Sequence, residues 1–221
     1  MSAPRRPRRA RDAGPAQPPF RLLRRPYAPI EVVSADQVEA IHAAALRVLA
    51  EIGMRVLSEE ARALYRAAGA EVAGETVRLD PALVAALLST IPPRFRLEAR
   101  DPAKSLDFGG DAVVFCSVGG PAYMMDNDRG RRDGTFREMC DYLRLVQALP
   151  VLHQEGGGPC EPMDLPPATR HLDLYRAQIA LLDKSWQTQT LGHARTMDGV
   201  EMAAIMLGTT PEGLVGRPVL M

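Results

Sequence analysis

From residue 95 onward the apolar pattern of this chain switches repeatedly between period two and period 3.6, and that alternation restricts the fold more than any other feature. Strand-like runs fall at 95–99, 105–108, 112–117 and 122–126, with Gly109-Gly110-Asp111 and Asn127-Asp128-Arg129-Gly130 supplying turn chemistry. Thr135-Phe136-Arg137-Glu138 is a capping-box pattern, followed at helical spacing by Phe136, Met139, Leu143, Val146 and Leu149. A strand at 151–155 comes next, then a helix at 167–182 with Leu172, Tyr175, Ile179 and Leu182 on one face. A strand at 185–190 and a helix at 197–207 with Val200, Ala204 and Leu207 complete the period. Arg217-Pro218-Val219-Leu220-Met221 starts another strand.

Strands alternating with helices predict parallel βαβ units. Gly119-Gly120-Pro121 is not a Gly-x-Gly-x-x-Gly turn and no helix opens on it, so the phosphate turn of a doubly wound sheet is missing. The expectation is therefore α/β, a (β/α)8 TIM-type barrel. Four parallel strands, counted from 112–117, precede residue 221, and eight are needed over about 250 residues. The last apolar segment has no cap, charge or polar tail, and a fresh parallel edge is rarely left uncovered. The barrel is expected to be incomplete, about its first half, with the rest beyond residue 221.

Ahead of the barrel, 34–91 reads as a compact helical cap. Ser34-Ala35-Asp36-Gln37 is a capping box leading into Val38, Ile41, Ala45, Leu49 and Ile52, with Gly53 as the stop. A second helix follows Ser58 and ends at Gly69. A hairpin at 71–73 and 76–79 turns on Gly74-Glu75, and Asp80-Pro81 opens a third helix that stops before Pro92-Pro93. The domain boundaries so drawn are a disordered tail at 1–30, the cap at 31–94 and the barrel portion at 95–221.

The formal charge is zero, with 27 basic and 27 acidic residues, so composition offers no argument for nucleic acid. That balance hides a basic stretch over residues 1–25, with eight Arg against Asp12 alone. Rich in Pro and Ala and without an apolar h-region, it reads as a solvated tail. A nucleic-acid or membrane-surface arm and an organelle presequence are the other readings of it. Cys116, Cys140 and Cys160 are odd in number and widely spaced, which predicts no disulfide framework, no metal site, buried apolar roles and a reducing cytoplasm. No run reaches the roughly 18 apolar residues of a membrane span.

Several segments, taken in order, carry a resemblance. They are Ala45-Leu46-Arg47-Val48-Leu49-Ala50-Glu51-Ile52-Gly53, Ala99-Arg100-Asp101-Pro102-Ala103, Gly119-Gly120-Pro121-Ala122-Tyr123 with Asp126, and Gly130-Arg131-Arg132-Asp133-Gly134-Thr135. The most specific is Pro166-Pro167-Ala168-Thr169-Arg170-His171-Leu172-Asp173-Leu174-Tyr175-Arg176, with Asp183-Lys184 and Glu201-Met202-Ala203-Ala204-Ile205 after it. In this order they resemble the trimethylamine methyltransferase family, the corrinoid-dependent methylamine and quaternary-amine methyltransferases. The resemblance implies a helical cap followed by a (β/α)8 barrel. It implies transfer of a methyl group from a tertiary or quaternary methylated amine to the Co(I) of cobalamin on a separate corrinoid protein, a reaction of one-carbon metabolism and methanogenesis. It also implies a full-length homo-oligomer without nucleic-acid or membrane partners. In the trimethylamine branch an activating pyrrolysine lies later in the barrel, so the catalytic residues are expected beyond residue 221 and this portion is expected to be inactive alone. The competing readings are a half-barrel interaction or assembly module and an unrelated barrel lyase or hydrolase.

Barrel sites form at the C-terminal ends of strands and in the loops after them. That rule selects Gly119, Gly120 and Tyr123 after the first strand, as close backbone approach to a ligand or as a tight turn. Gln154, Glu155 and Gly156 stand at the end of the second. Glu155 either balances an ammonium or pairs with an Arg, and Gly156-Gly157-Gly158 is costly enough in entropy to imply a special backbone shape. On the third strand Gln187 and Gln189 alternate with Trp186 and Thr188, so one set faces inward, as a satisfied network or a pocket wall. Tyr123 and Trp186 are candidates for cation–π contact with a methylammonium, with core packing the plainer role for Trp186. His193 reads as a loop or surface residue, and His171 and Asp173 as surface or helix-pair residues.

Overall fold

The computed structural model describes residues 16–120, 122–189 and 191–220. The chain divides into two units, one taking the residues up to Pro26 together with Arg94 onward, the other Tyr27–Pro93. The first unit opens with β1 (Leu23–Arg24).

In the second unit, α1 (Ala35–Arg47) starts on a complete capping box. Gln37 N–H donates to Ser34 Oγ at 3.2 Å and Ser34 N–H donates to Gln37 Oε1 at 2.9 Å. A π-helical turn, Val48–Ile52, follows, and Gly53 at φ 79° ends it. Then come β2 (Met54–Arg55), α2 (Glu59–Ala67), β3 (Glu71–Ala73), β4 (Thr76–Arg78) and α3 (Pro81–Leu88). The sheet order is β2-β4-β3, all antiparallel, with the central Val77 fully buried. The two-residue β2 carries no alternation signal and is missed by the sequence pattern. The helical stripe of α1 is correctly periodic, yet no residue of α1, α2 or α3 is buried.

In the first unit, β5 (Phe95–Leu97) and β6 (Leu106–Phe108) form a hairpin in which Phe95 stacks on Phe108. β7 (Ala112–Val113) pairs with β1, and β8 (Tyr123–Asp126) with β9 (Gly130–Asp133). Then follow α4 (Phe136–Ala148), α5 (Arg170–Leu181) and α6 (His193–Leu207). Arg132 on β9 pairs with Asp126 at 2.9 Å and with Glu138 in the first turn of α4, tying the hairpin to that helix. The Arg132 guanidinium, with help from Thr135, holds the Glu138 carboxyl down at about 2.

Three segments of this unit run side by side in chain order. Cys116 bridges Gln154 and Gln154 bridges Ser185, both parallel. Each is a single bridge rather than the strand expected at 151–155 or 185–190, and Thr190 lies outside the described residues. Side chains account for the shortness. Gln187 N–H is taken by Glu155 Oε2 at 3.4 Å and Gln189 N–H by Tyr175 Oη at 3.0 Å, leaving those donors unavailable to a ladder. Among the described residues, 217–220 forms no strand. The Pro218 carbonyl accepts from Glu98 N–H at 2.7 Å, while Pro218 has no N–H to return.

The hydrophobic core collects Met139, Leu143 and Val146 of α4, Leu174, Tyr175 and Ala177 of α5, Ala203 and Ala204 of α6, and Leu182, Trp186, Leu214 and Val219. The inward face of α5 keeps the expected Tyr175, Ile179 and Leu182 but not Leu172. Leu172 is 41% exposed, whereas His171 is buried, with its Nε2 2.7 Å from Asp198 Oδ2 on α6. α6 begins at His193 rather than 197, because both N–H and hydroxyl of Thr196 bond back to the Gly192 carbonyl. His193 is exposed at that helix start.

Of the tail expected at 1–30, residues 1–15 lie outside the described residues. Farther on, the chain is held rather than free. Arg24 pairs with Asp111 at 2.5 Å, Arg25 N–H donates to the Asp111 carbonyl, and the Arg21 carbonyl meets His153 Nε2 at 2.9 Å. The basic composition concealed this pairing, since Arg24 finds its partner 87 residues away. Of the three cysteines expected to be buried, Cys160 is, Cys140 is half-buried and Cys116 is exposed.

Candidate functional site

A cavity of about 380 Å³ opens where the first and second parallel segments end. That size is within the ordinary range of small-molecule sites. Its rim is glycine backbone. A Cβ on Gly119 would lie 1.5 Å from the Gly156 carbonyl oxygen, and one on Gly156 would lie 2.1 Å from the Ser117 carbonyl oxygen. Gly157 has φ 102°, a left-handed conformation that side chains resist. The run Gly156-Gly157-Gly158 is thus required by close approach and by backbone sign together.

Of the residues selected from sequence, Gly119, Gly120, Gly156, Gln187 and Gln189 line this cavity. Glu155 lies just beneath it, fully buried, and three of its side-chain bonds run to lining residues. Its Oε1 accepts from Gly157 N–H at 2.7 Å, and its Oε2 accepts from Gln178 Nε2 at 2.9 Å and Gln187 N–H. Among the described residues no Arg or Lys pairs with it. Burial pushes the Glu155 carboxyl above its ordinary value, and the N–H donors of Gly157, Gln178, Gln187 and Gly158 pull the other way. Gln154, also buried, belongs to the bridged backbone rather than to the lining.

Tyr123 is not brought to the cavity. It stands half-exposed on β8 with the Arg131 guanidinium 4.0 Å from its ring centroid, so its own chain already supplies a cation. Trp186 is core: it is 1% exposed, lies against Tyr175, and its Nε1 faces Met206 Sδ at 3.4 Å.

Sequence reasoning missed Gln178 as a site residue, and read Tyr175 only as core. Both lie on α5, Gln178 one turn after Tyr175. The available signal was a glutamine in the stretch of α5 that faces the core, since a buried amide must find partners. Gln178 Nε2 donates to Glu155 and, at 3.2 Å, to the Gln187 carbonyl. Tyr175 Oη accepts from Gln189 N–H and donates to the Arg195 carbonyl at 3.1 Å. The carbonyl oxygens Gln178 Oε1 and Gln189 Oε1 are buried and, among the described residues, meet no donor. The walls therefore carry a carboxyl without a counter-ion and two acceptors without donors, a surplus of negative partial charge that a cation would complement.

Among the described residues no group of three or more His, Cys, Asp or Glu could hold a metal ion, and no helix is long and apolar enough to cross a membrane.

A family model described as trimethylamine methyltransferase (MTTB) matches residues 2–221. The chain is 33% identical to a glycine betaine methyltransferase of Desulfitobacterium hafniense (strain Y51) over 190 residues, which is 86% of this chain and 40% of that protein. It is 28% identical to an L-carnitine:corrinoid methyltransferase of Eubacterium limosum over 149 residues, 67% of this chain and 30% of that protein. A trimethylamine methyltransferase of Desulfitobacterium hafniense (strain DSM 10664 / DCB-2) is 28% identical over 119 residues, 52% of this chain and 24% of its own. The chain thus spans less than half the length of these curated relatives. The family match runs through the glycine rim, Glu155 and the α5 segment that builds the cavity wall, and on it the chain belongs to the trimethylamine methyltransferase (MTTB) family.

Proposed function

We propose that this chain contributes the N-terminal part of a corrinoid-dependent methyltransferase acting on a methylated amine, with the cavity above Glu155 as part of the ammonium site. The observation that carries this reading is the buried Glu155, held by three donors from cavity-lining residues and, among the described residues, paired with no cation. A quaternary ammonium cannot donate a hydrogen bond, so it is recognised through its charge and shape. A buried carboxylate and unsatisfied amide oxygens around the cavity supply the first.

The parallel bridges Cys116–Gln154–Ser185 support the start of a (β/α)8 barrel, whose sites gather at the strand ends where this cavity opens. The relatives named for glycine betaine and L-carnitine favour a quaternary amine as methyl donor. Such a donor is already activated, because a neutral amine can leave. The protein's task is then to hold the cation with one methyl in line with its acceptor. A corrinoid on a separate protein supplies the Co(I) nucleophile. The rim at Gly119, Gly120 and Gly156 fits the approach of a large flat group, since it presents backbone without side chains.

The test is incubation of the protein carrying this chain with Co(I) cobalamin and, separately, glycine betaine, carnitine, proline betaine and trimethylamine, read as methylcobalamin absorbance. Methylation from at least one quaternary amine is expected. No methylcobalamin from any of them overturns the reading.

A further inference from the structure

We infer that Gln178 is a positioning residue that makes Glu155 a switchable counter-ion, so that a quaternary ammonium enters the cavity as the Glu155 proton leaves. This deepens the methylated-amine reading and rests on it. The geometry is a two-sided clamp. One amide group, Gln178 Nε2, bonds both Glu155 Oε2 at 2.9 Å and the Gln187 carbonyl at 3.2 Å. Its orientation is fixed, because both neighbours are acceptors and only the NH2 end can meet them. The clamp holds the carboxyl against the cavity wall and leaves Gln178 Oε1 buried without a donor.

Without ligand, burial opposes a lone charge on Glu155 while the N–H donors of Gly157, Gln178, Gln187 and Gly158 favour it. A bound monocation tips this balance toward the carboxylate. The proton goes to solvent, the carboxylate remains, and the charge of the cavity is conserved. Four other titratable groups face this region: Cys116 on the first parallel segment, Tyr142 on α4, Tyr175 on α5 and Glu161 on the cavity lining. Partial desolvation pushes the Cys116 thiol and the Tyr142 and Tyr175 phenols up, and the Glu155 charge adds to the first two, so all three stay protonated through neutral pH. Glu161 is already paired with Arg170 at 2.7 Å. Glu155 is left as the group whose proton answers to the ligand.

The experiment titrates the chain calorimetrically with choline and with its neutral isostere 3,3-dimethyl-1-butanol, from pH 5 to 9, in two buffers of different ionisation enthalpy. Choline is expected to bind on the order of tenfold or more tightly than the isostere. Its affinity is expected to rise with pH to a plateau, with up to one proton released per choline below the midpoint. In Gln178→Met, Glu155 loses a donor to its ionised form and the midpoint is expected to move upward, with affinity on the high-pH plateau largely kept. A merely structural role for Gln178 would weaken binding at every pH and leave the midpoint in place, which overturns the inference. PH-independent choline binding by the unaltered chain, without proton release, overturns it even where the variant does not fold. Equal affinity for choline and the isostere overturns the ammonium reading itself.

Discussion

Gly119 and Gly156 pass so closely that a Cβ on Gly119 would stand 1.5 Å from the Gly156 carbonyl oxygen. Two consecutive strand-end loops therefore meet backbone to backbone, and this contact forms the cavity rim. Gly119→Ala is expected to cost about 2 kcal/mol or more, in the range of overpacking changes. Denaturant unfolding measures it. Gly120→Ala is the comparison, because nothing lies within 4 Å of its would-be Cβ and its cost comes from φ 89° alone.

The buried contact of His171 with Asp198 joins the first turn of α5 to the second turn of α6. Asp198→Ala removes the partner of a buried imidazole, whose Nδ1 already has none. A loss of about 1–3 kcal/mol is expected. Asp173→Ala breaks only the exposed pair with Arg176 and is expected to fall within about 1 kcal/mol of the parent. Equal effects of the two substitutions in urea unfolding would show that the buried contact carries no special weight.

Lys184 Nζ donates to the carbonyls of Val146 at 2.6 Å and Leu149 at 2.9 Å, closing the C-terminal end of α4. Burial, with Lys104 nearby, lowers this ammonium to about 8 from the usual 10.5. Between those values the unfolded chain holds a proton that the folded chain has released, so stability rises with pH across that window. Below about 8 both states are charged and that contribution is gone. Lys184→Met abolishes the titration. Parent stability relative to this variant is expected to climb from pH 8 to 10.5, checked by denaturant midpoints at each pH.

Individual helices were legible because their caps are local. Ser34 with Gln37 and Thr135 with Glu138 form the capping boxes that the residue types imply. Glycine spacing likewise marked the rim, since Gly119 and Gly156 are demanded by backbone approach and Gly120 by its positive φ. What stayed hidden depends on long-range pairing. Arg24 reads as tail until Asp111 is placed beside it, and His171 reads equally as surface or helix-pair until α6 brings Asp198 across and decides for the second. Gln178 was invisible as a site residue for the same reason: its partners are Glu155 and Gln187, on two other segments. Tyr123 was overread, because an aromatic near a glycine turn says nothing of the Arg131 that occupies its face.

The most direct test of the account is choline binding by the unaltered chain and by Glu155→Gln, measured above the pH at which affinity levels off. The substitution keeps size and hydrogen-bonding capacity and removes only the charge. The account predicts an affinity loss on the order of tenfold or more, with the preference over the neutral isostere gone. Unchanged choline affinity in a folded Glu155→Gln would contradict it.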